Sequence, residues 1–421
     1  MSAAPDPPSG PSPAEENREP SGDALPDEAL AAALAALPGM GPARLTAILA
    51  LEPAPDAWAR VVAGRGWRDP AVRFALGPEG HRLVERWRTA ARGMSPEAGW
   101  ARLVDAGVGV TLRGSPSYPP ALAGDIEPPA LLFHRGEPEV IAGPRVAVVG
   151  TRRCTSVGAG VAHEMGHDLA TAGVAVISGL ASGIDGAAHR GAIAAGGAPP
   201  IGVVGSGLDV VYPAGQDDLW HSVAARGVLL SEAPLGAKPE RWRFPARNRI
   251  IAALADLVVV VESHRHGGSL YTVDEADRRG TDVLAVPGSV RSPASAGTND
   301  LLAEGRAPAC SADDVITALG LCPAGRRERR DPRSPPSDDD AAVLEALGWQ
   351  PATLDQLVLR TGRDLGGLTL ALLRLEDGGW AASRGAWWER VAAGADPRPG
   401  GGPRAGLPGA ATPQRYGEPG A

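Results

Sequence analysis

The chain has 421 residues, a formal net charge of −8, 43% hydrophobic and 21% charged residues, which suits a soluble globular protein of roughly two to four domains. No apolar run reaches the roughly 18 residues of a membrane span, and the N-terminus lacks the basic start and apolar stretch of a secretory signal. Three scattered cysteines are too few for a disulfide framework. We therefore expect a cytoplasmic protein without a membrane partner.

The N-terminal part divides into a tail and a helical region. Residues 1–23 are rich in Pro and Ser, strongly acidic and without periodicity, which predicts a disordered tail. Residues 24–110 carry helical patterns and are predicted to form a helical, SAM-like domain. Within it, the segment LPGMGPARL (37–45) resembles the hairpin of a helix-hairpin-helix, whose backbone N–H groups would face a DNA phosphate. A purely structural helical hairpin is the alternative.

The sequence pattern over residues 111–320 predicts an α/β domain that starts with an extended connection. From Arg145, short apolar runs alternate with segments of helix length. Strands that are apolar throughout and separated by helices are typical of a parallel sheet covered on both faces. We therefore predict a doubly wound, Rossmann-like sheet built on the runs VAVVG (146–150), VAVISG (174–179), IGVVG (201–205), VLLSE (228–232), LVVVVES (257–263) and DVLAVPG (282–288).

The C-terminal part predicts a small third domain. Residues 321–338 are polar and are predicted to form a linker. Three helical patterns followed by the hydrophobic ribbon WAASRGAWWERV indicate a winged-helix-like domain over 339–392. The Gly/Pro-rich tail at 393–421 is predicted to be disordered.

Several enzyme classes lack their motifs in this chain. There is no G-x-x-x-x-G-K-[ST], no G-x-G-x-x-G after the first strand and no G-x-S-x-G, which disfavours a P-loop ATPase, a dinucleotide-binding enzyme and an α/β-hydrolase. His163–His167 matches H-E-x-x-H, but it falls on the first helix of the sheet and lacks a nearby third ligand. Cys154 would lie near a helix N-terminus, where a thiolate is stabilised. We expect no catalytic residue, no metal and no cofactor.

The positive signal lies in three Gly-rich turns after successive strands. In an open α/β sheet such turns line one crevice, where glycine amides and helix N-termini favour an anion such as phosphate. The alternative is that glycine only satisfies tight turns. The turns are Gly150-Thr151-Arg152, then Ser178-Gly179-Leu180-Ala181-Ser182-Gly183-Ile184-Asp185, then Gly205-Ser206-Gly207-Leu208-Asp209.

A second signal is the segment RWRFPARNRII (241–251), just before a predicted helix. Arginines interleaved with aromatic rings suit a single-stranded backbone and its unstacked bases, and a salt-bridged solvated face is the alternative. A further Gly/hydroxyl turn contains Gly267, Gly268 and Ser269. The candidate DNA contacts of the Arg/aromatic segment are Phe244, Arg247, Asn248 and Arg249.

Taken together, eight segments resemble the DNA-processing protein A family, also called DprA or Smf, in order and at the family's spacing across residues 111–320. The segments are VAVVGTR, ISGLASGIDGAAHRGAI, GVVGSGLDVVYP, LLSEAPLG, FPARNRIIAALAD, VVVVES, GGSLYTVDEA and VLAVPGS. The resemblance implies an extended Rossmann fold that binds single-stranded DNA, forms a homodimer through that domain and helps load a RecA-type recombinase. It also implies roles in natural transformation (competence) and no catalytic reaction.

The resemblance also implies roles for particular residues. Arg152 would clamp a phosphate, the Ser178–Asp185 turn would present backbone amides, and Arg247 and Asn248 would line the same pocket. Two departures remove cations: Ser182 stands where the family often has lysine, and the segment at 266–270 begins with His266 rather than arginine.

Two other hypotheses stay open. A nucleotide-processing enzyme could use the same crevice, with Asp185 and His189 as acid/base candidates four residues apart on one helix. A helix cap and a packing histidine are the structural alternative for that pair. A protein-binding adaptor could instead use the winged helix to engage a partner or duplex DNA.

Overall fold

The computed structural model describes residues 25–322, 331 and 333–391. The predicted tails at 1–23 and 393–421 and part of the predicted linker lie outside the described residues. The chain divides into two compact units. The first runs to Arg135 and includes 207–209 and 231–237, and the second contains 136–206, 210–230 and the described residues from Lys238 onward.

The first unit is mainly helical. The segment LPGMGPARL connects its first two helices, with Leu37 and Met40 buried, Gly39 at a φ of 75° and Pro42 beginning the second helix. Two short strands pair antiparallel, and the second of them falls in the stretch predicted as an extended connection. The elements are α1 (Asp27–Ala35), α2 (Pro42–Leu51), α3 (Ala54–Val62), α4 (Pro70–Leu76), α5 (Gly80–Arg92), α6 (Pro96–Asp105), β1 (Gly109–Leu112), α7 (Pro120–Ala123) and β2 (Leu131–Gly136).

The second unit begins with alternating strands and helices. Its central strands are buried except at Arg145, the first residue of β3, and all their buried residues but Ser178 are apolar, as expected for a sheet covered on both faces. The elements are β3 (Arg145–Val149), α8 (Ser156–Thr171), β4 (Ala175–Ser178), α9 (Ile184–Ala195), β5 (Ile201–Val203), α10 (Asp217–Arg226), β6 (Val228–Ser231), α11 (Arg243–Leu254), β7 (Leu257–Val260), α12 (Leu270–Arg279), β8 (Asp282–Ala285), α13 (Ala296–Ala303), β9 (Ala307–Pro308) and α14 (Ala312–Ala318).

These strands pair in parallel in the order β6-β5-β4-β3-β7-β8-β9. The chain therefore winds outward from β3 in one direction and then returns to its other side at β7, which confirms the predicted doubly wound α/β fold. Helices α8 and α9 approach closely through glycines, because a Cβ at Gly191 would lie 1.9 Å from the carbonyl oxygen of His163.

The predicted winged helix is also confirmed. Its strands pair antiparallel in the order β10-β12-β11, and its helices bury Leu344, Leu357, Leu372 and Trp388 in one core. The elements are α15 (Asp338–Leu347), β10 (Ala352–Thr353), α16 (Leu354–Thr361), α17 (Leu365–Asp377), β11 (Ala381–Arg384) and β12 (Trp387–Arg390). Within the described ranges, no helix combines the length and the apolar character needed to cross a membrane.

Candidate functional site

A cavity of about 90 Å³ opens at the carboxyl ends of β3, β4 and β5. Sites that enclose a small molecule usually measure about 300–1,000 Å³, so this cavity fits one polar group of a ligand that continues outside. We call it the crevice. It is lined by Arg152, Gly179, Ala181, Ser182, Val204, Gly205, Ser206, Tyr212, Pro213, Phe244 and Arg247.

The turn after β3 places an exposed cation at the crevice. The Thr151 N–H donates to the carbonyl oxygen of Glu262 at 2.7 Å, which fixes the turn. The Arg152 guanidinium then lies 4.6 Å above the ring of Phe244, and Tyr212 lies 5.6 Å from the same ring. Because a cation–π contact uses no N–H donor, the donors of the Arg152 guanidinium stay available for an anion.

The turn after β4 is locked by bonds within the protein. Gly183 has a φ of 81°, and a Cβ there would lie 2.4 Å from the carbonyl oxygen of Thr151. The Gly179 N–H donates to Asp185 at 3.1 Å, and the Ile184 N–H donates to Thr151 at 3.3 Å. The Ser178 hydroxyl is buried and donates to the carbonyl of Val148 at 2.6 Å. Two amides of this turn are therefore already engaged, unlike the expectation that the whole turn presents its amides.

Two buried ionisable residues, Arg247 and Asp185, interact electrostatically at the crevice. Arg247 packs against Gly179, where a Cβ would lie 1.9 Å from its Nη1, and donates to the carbonyl of Val203. Burial lowers the pKa of Arg247 to about 10, although Asp185 opposes this shift, so the guanidinium stays charged at neutral pH. Burial also raises the pKa of Asp185, against the opposing effects of Arg247 and the Gly179 N–H.

Arg247 also keeps an unsatisfied donor. Its buried Nε has no hydrogen-bond partner among the described residues. This nitrogen is inaccessible from the cavity, so it is not a contact for a ligand there.

Helix α11 begins earlier than the sequence indicated. It starts at Arg243, so the Arg/aromatic segment forms its first two turns rather than preceding it. Pro245 is tolerated there because the first turn of a helix has no intrahelical N–H bonds to lose. Phe244 and Arg247, three residues apart, consequently share one face and both line the crevice.

The structure brings six of the predicted site residues into the crevice. They are Arg152, Gly179, Ser182, Gly205, Phe244 and Arg247. The sequence did not single out Tyr212, Pro213, Val204 or Ser206 as site residues. The only available signal for Tyr212 and Pro213 was their position in the motif GVVGSGLDVVYP.

The other predicted site residues lie outside the crevice lining. Gly150 is packed against Ile184, where a Cβ would lie 2.6 Å from a side-chain carbon. The Asn248 amide is 3.5 Å from the carbonyl of Gly268, and Arg249 follows on α11. Ser269 is buried, and its hydroxyl donates to Ser263 at 2.9 Å. Gly207 belongs to the first unit, where its N–H donates to Ala237 at 2.9 Å.

The N-terminus of α8 is closed by the protein's own carboxylate. The Thr155 N–H donates to Glu262 at 2.9 Å, and the Thr155 hydroxyl donates to the same carboxylate at 2.6 Å. In dinucleotide-binding folds, the N-terminus of the first helix binds the pyrophosphate. Glu262 occupies the corresponding position here, which disfavours dinucleotide binding.

The residues of the enzyme hypothesis are enclosed. His189 is fully buried, and its Nε2 lies 3.2 Å from the carbonyl oxygen of Ile201. Burial lowers the pKa of His189 to about 4, so the ring is neutral at physiological pH. Burial likewise raises the pKa of Cys154 to about 11, with Glu262 adding to the shift, so the expected stabilisation of a thiolate at the helix N-terminus is wrong.

Two known protein-family profiles match the parts of the chain that contain these motifs and the winged helix. The family profile described as DNA recombination-mediator protein A matches residues 109–320, and the profile described as DprA winged helix domain matches residues 327–384. The chain belongs to the DprA family. The resemblance predicted from the eight segments is thereby confirmed.

Individual DprA proteins show the extent of the similarity. The putative DNA processing protein DprA of Mycobacterium tuberculosis is 40% identical over 261 residues, which cover 61% of this chain and 66% of that protein, slightly under two thirds of its length. The Streptococcus pneumoniae protein is 40% identical over 199 residues, covering 47% of this chain and 70% of that protein. The solved structure of DNA processing protein A from S. pneumoniae aligns with a TM-score of 0.56 at 31% identity, covering 69% of this chain and 96% of that chain.

Proposed function

We propose that this DprA-family chain binds single-stranded DNA by its phosphate backbone at the crevice. The observation that carries the proposal is the Arg152 guanidinium held on the Phe244 ring at the mouth of a cavity too small for a whole nucleotide. Such a site takes one phosphate and leaves the rest of the strand outside.

The charges of the crevice favour an anion. Arg247 is charged in the wall of the crevice, and Arg152 is the exposed cation at its opening. Because phosphates are the same at every nucleotide, this contact supports binding to any base sequence.

The aromatic wall favours single strands over duplexes. Tyr212 is partly exposed, and its ring lies tilted by 38° against Phe244. Unstacked bases gain about 1–3 kcal/mol from stacking on such rings, whereas paired bases in a duplex are already stacked. Asn248, Arg249 and Gly268, beyond the lining residues, would follow the strand as it leaves the crevice.

In the same proposal, the bound strand is passed to a RecA-type recombinase, and the chain acts as a homodimer through the Rossmann-like domain. The description of the matching family as a recombination mediator supports this step. A mediator needs no chemistry of its own, in keeping with the burial of His189 and the raised pKa of Cys154.

The proposal is tested by fluorescence anisotropy of a labelled oligonucleotide and its matching duplex at several salt concentrations. We expect the single strand to bind more tightly, with affinity that falls as salt rises. Absence of binding at low salt would rule the proposal out. Turnover of any member of a mononucleotide panel would favour the enzyme hypothesis instead. For the mediator step, the readout is the rate at which recombinase filaments form on that strand with and without this protein.

A further inference from the structure

The winged helix, a part of the second unit that we call the winged-helix unit, presents an apolar face where related folds present hydrogen-bond donors to DNA. In duplex-binding helix-turn-helix domains, the second helix of the pair enters the major groove and carries polar or basic side chains. That helix is α17 here. On its exposed side Leu365, Leu370 and Leu373 are 56%, 59% and 49% exposed, and they lie beside Gly366, Thr369 and Asp377.

The arginines of this unit are engaged within it. Arg374, the basic residue of α17, pairs with Asp340 at 2.6 Å, and Arg363 pairs with Asp339 at 2.6 Å. A phosphate contact would have to break these bonds. The same holds for Arg333 with Asp331 at 2.6 Å, Arg360 with the carbonyl of Ala346 at 3.1 Å, and Arg384 with Glu389 at 3.4 Å. Arg390 lies 4.7 Å from the centroid of the Trp349 ring, a contact that, as at Arg152, uses none of its N–H donors.

The wing is also occupied by a protein contact. Glu389 on β12 accepts a hydrogen bond from the Ser156 hydroxyl. Arg384 on β11 donates to the oxygen of that Ser156 hydroxyl at 3.2 Å. Ser156 is the first residue of α8 and is buried. In other winged helices this hairpin would touch a DNA backbone. Here it packs on α8 of the Rossmann-like part of the second unit.

We propose that the winged-helix unit binds a partner protein, rather than duplex DNA, through the exposed face of α17. Three half-exposed leucines on one helix face suit the apolar stripe of an amphipathic helix. Residues 333–391 hold nine acidic and six basic residues, and Asp364 and Asp377 stand at the two ends of the face. The partner helix is therefore expected to carry Lys or Arg at the margins of its apolar stripe.

The same charges argue against a second copy of this chain as the occupant. Packing α17 against α17 in parallel would bring Asp364 opposite its own copy, and antiparallel packing would bring it opposite Asp377. Like charges meet in both arrangements, which disfavours pairing.

The test uses the full chain and two labelled 18-residue helical peptides of one design, with leucine on one face and either lysine or glutamate on the flanks. We expect the Leu/Lys peptide to bind and the Leu/Glu peptide not to bind. The double variant L370Q/L373Q should weaken Leu/Lys binding about tenfold or more, because two leucines lose their apolar contacts while Gln keeps the helix. The matched control is V290Q, since Val290 is 91% exposed on a loop outside the winged helix.

Four outcomes would overturn the proposal. They are equal binding of both peptides, Leu/Lys binding that L370Q/L373Q leaves unchanged, loss of duplex binding in that variant, or a self-association seen by sedimentation that the variant abolishes. Single-strand affinity of L370Q/L373Q, measured alongside, is expected to stay at the wild-type value. A failure of DNA binding at the crevice is thereby distinguished from a failure at α17.

Discussion

Two regions of the second unit have folds common among nucleic-acid-binding proteins, and they use their arginines in opposite ways. At the crevice, Arg152 is exposed and held by a ring face, which leaves its donors available. In the winged helix, Arg363 and Arg374 are neutralised by Asp339 and Asp340. In both regions the fold class alone would suggest nucleic-acid binding. What separates them is whether the cations are already satisfied inside the protein.

The largest effect is expected from adding one methyl group inside the crevice. In Gly179→Ala the new Cβ would lie 1.9 Å from Nη1 of the buried Arg247, so the guanidinium would have to leave its position and its hydrogen bond to the carbonyl of Val203. We expect a loss of about 1–3 kcal/mol of unfolding free energy and loss of single-strand binding. The measurements are urea unfolding and oligonucleotide anisotropy.

The matched control is Gly205→Ala in the same cavity lining. Its Cβ would meet its nearest neighbour, the carbonyl oxygen of Arg243, at 3.4 Å, an ordinary contact. We expect its stability to stay near that of the wild type. If both variants were equally stable, the close packing of Arg247 on Gly179 would be wrong.

The sequence predicted much of this architecture, because the sheet strands are continuous apolar runs and the winged helix has clear helical periods. It missed β9, which is two residues long, and it placed the start of α11 after the Arg/aromatic segment, whereas the helix begins within that segment at Arg243. The pairing of Arg247 with Asp185 could not be predicted, because it depends on how α9 and α11 pack. Tyr212 comes from a loop remote in sequence from the other aromatic residue of the crevice, Phe244.

Acidification is expected to affect the two regions in different pH windows. His189 has its pKa lowered from 6.5 to about 4 by burial, so the unfolded chain binds the extra proton between these values. The native state therefore loses stability as pH falls from 6.5 toward 4, by up to about 3 kcal/mol. His189→Gln should flatten this part of the urea-midpoint profile, and identical profiles for variant and wild type would contradict the prediction.

In the winged helix the window is lower. The hydrogen bond from Arg374 holds the pKa of Asp340 below its usual 3.8. Its stabilising effect is thus present above pH 3.8 and is lost as pH falls through the lowered pKa. Asp340→Asn should be less stable than the wild type at neutral pH, with a difference that disappears only in strong acid. A difference already lost at pH 5 would show that it does not come from the Asp340–Arg374 ion pair.

A smaller effect is expected from the ring that holds Arg152. Phe244→Leu keeps an apolar side chain but removes the cation–π contact, which is worth about 0.5–1 kcal/mol at an exposed site. We expect single-strand affinity to fall about two- to fivefold, while its salt dependence stays unchanged because no phosphate contact is removed. A change in salt slope as large as that of an arginine variant would contradict this prediction, because Arg152 would then lose its phosphate contact altogether without the ring.

The most direct measurement compares the salt dependence of single-strand binding for the wild type, Arg152→Gln and Arg363→Gln. If Arg152 contacts a phosphate and the winged-helix arginines do not, Arg152→Gln should reduce the slope of log affinity against log salt by about 0.7, and Arg363→Gln should leave it unchanged. An unchanged slope for Arg152→Gln, or a reduced one for Arg363→Gln, would contradict the assignment of DNA binding to the crevice.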